Sequence, residues 1–107
     1  MTKRFIKPVP TFVYFVYNPF RNIVKIGQSK RVRERFWGIR GQSADHLEIF
    51  GAVVDSGGLE KALHARFGKY LKRNEWFWLE RPILQWLIEH KTQLLAGSKA
   101  AKIADLI

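Results

Sequence analysis

The chain has 107 residues, which suits one small domain and leaves little room for a second. Lysine and arginine total 19 against 9 acidic residues, a formal charge of +10, and this excess favours a polyanionic partner, nucleic acid first. Cysteine is absent, which excludes disulfides and thiolate zinc sites, and no apolar stretch is long enough to span a bilayer.

Residues 1–10, "MTKRFIKPVP", read as a basic arm that Pro8 and Pro10 keep out of a helix. The arm lacks the apolar run of a secretory signal, so a cytoplasmic protein is expected. "TFVYFVYN" is rich in aromatic and β-branched residues and apolar on both faces, as in a central strand covered on two sides. "NPFR" carries turn chemistry and "NIVKIG" returns as a second strand. A turn over Asn18–Arg21 pairs Tyr17 with Asn22 and sets Tyr14 opposite Lys25, on one face. From Ser29 the pattern turns helical, with Val32, Phe36 and Ile39 on one stripe and Gly41 as its end.

"LEIFGAVVD" reads as a third strand, and a second helix is expected from Ser56 or Gly57 to about Lys72, striped by Leu59, Leu63, Phe67 and Tyr70 or Leu71. "RNEWFWLE" is a short strand or link, and Pro82 opens a third helix, "PILQWLIEHKTQLL". The expected fold class is α+β: a small, mostly antiparallel three-stranded sheet flanked by helices. Residues 11–96 form the domain and 97–107 a tail.

Several charges fall where apolar residues belong. Arg35 borders the stripe of the first helix and Glu60 that of the second, with His64 four residues beyond Glu60 on the same side. Taken singly, Tyr14 reads as a packed core tyrosine and Lys25 as a snorkelling or edge-blunting lysine. Arg35 and Glu60 read as an ion pair, and His64 as a helix-face hydrogen bonder. Taken together, the five suit phosphodiester chemistry. Arginine grips a phosphate, a carboxylate holds a divalent metal, and a tyrosine whose pKa a nearby cation lowers helps deprotonate water.

The order and spacing resemble the GIY-YIG nuclease superfamily. "FVY", Phe12 to Tyr14, stands for the first motif and "KIG", Lys25 to Gly27, for the second. Arg35 follows eight residues after Gly27, and "GLEKALHARF" then "NEWFWL" resemble a small, phage-type branch with KIG as its second motif. The resemblance implies a β-β-α-β-α core plus a C-terminal helix. Tyr14 would be the general base or its relay, Arg35 the phosphate ligand, and Glu60 the holder of a single Mg2+ or Mn2+ ion. Gly27 would let the helix approach the strand, and His64 would lie near the site. Lys25 stands where much of the superfamily has tyrosine, and Phe12 where the first motif has glycine. Lys25 would either lower the Tyr14 pKa or touch the phosphate.

The function so implied is a metal-dependent endonuclease acting on DNA. Lys3, Arg4 and Lys7 of the arm and the Lys30, Arg31, Arg33 cluster would hold the backbone, unless they are only a solvated charged face. The alternative is a non-catalytic nucleic-acid-binding or regulatory module on the same fold. A third reading, a protein-interaction surface over Trp76 to Trp86, competes with those tryptophans being core.

Overall fold

The computed structural model describes residues 10–55 and 57–90. Strand β1 (Phe12–Asn18) and strand β2 (Ile23–Ser29) form a hairpin, followed by helix α1 (Val32–Gly41) and strand β3 (Glu48–Val54). Helix α2 (Leu59–Arg66) runs into a 3-10 turn at Gly68–Tyr70, strands β4 (Leu71–Arg73) and β5 (Trp76–Trp78), and helix α3 (Arg81–Glu89). The fold is α+β, but the sheet has five strands rather than three, in the order β3-β1-β2-β5-β4. All its described pairings are antiparallel.

The extra strands arise because α2 stops at Arg66 instead of continuing to Lys72. The apolar spacing carries on to Tyr70, but the backbone leaves the α-helix after Phe67, and Asn74, at φ 54°, turns β4 back as β5. Strand β4 is exposed at Leu71, Lys72 and Arg73, with two cations blunting the sheet edge.

Strand β1 is central, as its two apolar faces require. Val13 and Phe15 point to a core shared with Val24, Ile26, Leu63, Phe67, Phe77, Ile83, Trp86 and Leu87, under α2 and α3. Tyr14 and Val16 point the other way, with Leu47 and Ala52, and are covered by Val32, Phe36 and Ile39 of α1. The sheet is therefore sandwiched between helices, and Tyr14 belongs to the α1 side.

The hairpin register differs from the expected one. Tyr17 lies opposite Val24, not Asn22, so the pairing is moved by two residues. The cause is Asn18, which stays in the strand and folds the turn with its side chain. Its Oδ1 accepts from the backbone N–H groups of Phe20 (3.0 Å) and Arg21 (3.2 Å). Its Nδ2 and the Arg21 Nε both donate to Asp45 Oδ2, at 2.9 and 2.7 Å. Asn22, at φ 53°, completes the longer loop. A shift of two preserves strand parity, so Tyr14 and Lys25 still share a face, as diagonal neighbours.

The third helix begins as expected, with Pro82 in its first turn and Ile83, Trp86 and Leu87 buried. Its expected continuation, the tail and the basic arm lie outside the described residues.

Candidate functional site

Tyr14 is fully buried at the centre of the α1 side, directly opposite Gly27. Its ring fills the space a side chain at position 27 would need. Gly27 is thus required for space, although what approaches it is the Tyr14 ring rather than a helix. The Tyr14 hydroxyl is buried and no described residue meets it in full hydrogen-bond geometry, although the Arg35 guanidinium lies close enough to act on it as a donor. Buried hydroxyls without a full hydrogen bond are costly and uncommon in folded proteins. Burial pushes the phenol pKa up and the Glu75 and Glu60 carboxylates push it further, while the Arg35 guanidinium beside it pulls it back. Tyr14 is therefore a neutral phenol at neutral pH, the reverse of the lowered pKa expected from a nearby lysine.

Lys25 does not supply that lowering because its charge is engaged elsewhere. Its Nζ lies 3.3 Å from Glu75 Oε2 and 5.8 Å from the centre of the Trp76 ring. It is also no edge residue, since β2 sits between β1 and β5. Glu75, in the β4–β5 turn, is the site residue that the motifs passed over. Its backbone carbonyl accepts from the Ile26 N–H at 3.0 Å, which fixes the turn against β2. Its signal in the sequence is its place in "NEWFWL", just before Trp76.

Glu60 stands in the first turn of α2 and is partly buried. Burial raises its pKa and Glu75 raises it again, whereas His64 and Lys25 act in the opposite sense. Two carboxylates therefore lean on one another beside the phenol. Glu60 and Arg35 form no ion pair. His64 brings its Nε2 to 2.7 Å from the Ile26 carbonyl oxygen and meets Phe77 edge-on at 4.9 Å. A carbonyl only accepts, so Nε2 carries the proton, and His64 ties α2 to β2.

The start of α2 is fixed by Asp55, which the sequence places at the end of the third strand. Its Oδ1 accepts from the N–H groups of Gly57 (3.3 Å), Gly58 (3.0 Å) and Leu59 (2.8 Å). Its Oδ2 accepts from Gln28 at 2.8 Å. Burial pushes the carboxyl up, but the backbone donors of Leu59, Gly57, Glu60 and Gly58 outweigh it and hold the pKa below the usual range. The contribution is complete above the unfolded value of about 3.9 and is lost as pH falls through the lower folded-state pKa. Asp55→Ala is expected to cost about 1–2 kcal/mol in urea unfolding at neutral pH, with Asp55→Asn costing less. The difference between wild type and Asp55→Ala should shrink as the pH drops below 4 (about the unfolded carboxylate pKa). A constant difference would refute the capping account.

Arg35, on α1, is exposed and lines an open groove of about 600 Å³ together with Ser29, Lys30 and Arg31. Arg31 is shared with Glu34, at 3.5 Å. Arg33 is not part of this groove and lines another one on the opposite flank of α1. Lys3, Arg4 and Lys7 lie outside the described residues. Among the described residues no group of three His, Cys, Asp or Glu side chains could hold a metal. The acidic donors at the site are Glu60 and Glu75.

A buried phenol, one arginine and two carboxylates thus act on one another on a basic α+β sandwich. The model of the T5orf172 domain family matches residues 11–93, most of the chain, and the protein belongs to that family. T5orf172 domains are phage-type, nuclease-like domains related to GIY-YIG and HNH endonucleases, and membership brings a nuclease-like or DNA-binding role. No curated protein and no solved structure matches the chain. No helix among the described residues is long and apolar enough to cross a membrane.

Proposed function

We propose that this chain is a GIY-YIG-type endonuclease that hydrolyses phosphodiester bonds in DNA with one Mg2+ or Mn2+ ion. The observation that carries the reading is the buried Tyr14 hydroxyl, without a full hydrogen bond and under the influence of Arg35, Glu60 and Glu75. Two mutually repelling carboxylates are a donor set of hard oxygens that favours a divalent cation, and magnesium keeps several waters, so it needs few protein ligands. Glu60 would hold the ion, which when bound would polarise the phosphate and lower the pKa of water. Arg35 would bind two non-bridging phosphate oxygens and offset the charge that grows on them. The phenol of Tyr14 is protonated at rest, so it serves as a relay. It would take the proton of the attacking water while passing its own to a second water admitted with the substrate, and the leaving oxygen would be protonated from solvent.

The test is nicking of supercoiled plasmid in magnesium, in manganese and in EDTA, beside Glu60→Ala. Metal-dependent nicking that the substitution removes is the expected result. A second reading, a binding module without cleavage, draws on Lys25, which replaces a tyrosine of the superfamily and is held by Glu75. No nicking in either metal, with salt-sensitive DNA binding retained, would favour that module over the nuclease.

A further inference from the structure

Helix α1 has two unlike flanks. Arg35 faces one groove, with Lys30 and Arg31. Across the helix, Arg33 and Trp37 line a second groove of about 400 Å³, whose floor is apolar: Phe12, Phe36, Ile49 and Ala52. Trp37 is 66% exposed, although indole is among the side chains most worth burying. Arg33, Trp37 and Arg40 follow at intervals of four and three, so they share one side of α1. Among the described residues, neither Arg33 nor Arg40 has an anionic partner. The result is an uncovered tryptophan between two free guanidinium groups, beside an apolar slot.

We infer that the Arg33–Trp37–Arg40 face is a base-stacking subsite for an unpaired nucleotide. The substrate would then carry single-stranded character, as at a branch, a gap or a free strand. The inference rests on the nucleic-acid reading above and goes further by naming the substrate class. Charge complementarity selects the occupant: the chain is formally +10, and the cations bordering the indole suit phosphates on either side of a stacked base. Inside a duplex both faces of a base are already stacked, so only an unpaired or extruded base can lie on Trp37. Because α1 is only about 10–12 Å across, a flexible strand passing over it reaches both flanks, phosphate toward Arg35 and base toward Trp37.

The full chain, Trp37→Ala and Trp37→Phe would be titrated in EDTA against three fluorescein-labelled probes of equal length. These are oligothymidylate, a blunt duplex, and an abasic strand that keeps the phosphates. Anisotropy gives affinity, quenching of indole emission reports stacking, and the melting temperature controls for folding. Trp37→Ala should weaken oligothymidylate binding at least about fivefold and leave the duplex and the abasic strand within about twofold. Trp37→Phe should keep most of the affinity, and wild type should be quenched by oligothymidylate but not by the abasic strand. Equal losses on all probes, or none on oligothymidylate, would overturn the subsite and leave the face to a protein partner. If wild type binds no probe even at low salt, the nucleic-acid reading itself fails, an outcome distinct from a missing base subsite.

Discussion

Arg35→Ala is expected to slow plasmid nicking about a thousandfold or more while leaving the melting temperature nearly unchanged. The side chain is exposed, so its removal opens no cavity. In the proposed mechanism it would act twice. It would hold the phosphate in a fork that matches two oxygens, and it is the cation that draws the Tyr14 pKa back down. Without it, burial and Glu75 would raise the phenol unopposed, and proton relay through Tyr14 would weaken as phosphate binding is lost. Arg35→Lys should rescue little, because an ammonium restores charge but not the planar fork. Glu60→Ala should be as damaging to cleavage but opposite for binding. Removing a carboxylate from beside the phosphate path leaves DNA affinity in EDTA equal or higher. Nicking within about tenfold of wild type in Arg35→Ala would remove Arg35 from the mechanism.

The parts of this molecule that were legible in the sequence are those marked by apolar composition and spacing. The aromatic and β-branched run "TFVYFVYN", apolar on both faces, and the apolar run "LEIFGAVVD" mark strands, and the parity of Tyr14 and Lys25 survives an error of two in register because side chains alternate with period two. Tyr14, Arg35 and Glu60 stood out because each is a polar group on or beside an apolar stripe. The register itself was not legible, since it depends on Asn18 Oδ1 capturing two backbone N–H groups and on a left-handed Asn22. Nothing in local composition distinguishes that loop from a tighter one. Strand β4 left no trace, because Leu71, Lys72 and Arg73 are all exposed and a helical spacing ran on through Tyr70. Glu75 sits in a turn and Asp55 just past the end of β3, places where an acidic residue is ordinary and no period makes it conspicuous. Yet they set the charge around the site and the start of the helix that bears Glu60. What the pattern of apolar residues cannot encode is which polar group a turn will aim inward.

Gly27→Ala should damage both stability and cleavage, although it adds one methyl group. The new Cβ would lie 2.8 Å from Tyr14 Cε2 and closer still to Cζ and Oη. The ring cannot simply swing away, because Tyr14 is fully buried, covered on its face of the sheet by α1. Forcing a methyl into such packing costs about 1–3 kcal/mol, readable as a lower urea midpoint at unchanged slope. Backbone conformation is not the cause, since Gly27 does not have a positive φ. The cost should therefore belong to the pair. In a Tyr14→Ala background, itself destabilised by the lost ring, adding Gly27→Ala should cost nothing further and should fill part of the cavity. The coupling between the two positions should then be about 1–3 kcal/mol. Cleavage separates packing from chemistry. Tyr14→Phe keeps the ring over Gly27 and removes only a hydroxyl that lacks a full hydrogen bond, so it should retain or gain stability while losing at least about a hundredfold in nicking. If Tyr14→Phe nicks normally, the contact between Tyr14 and Gly27 is packing alone, and the proton relay must be sought at another residue.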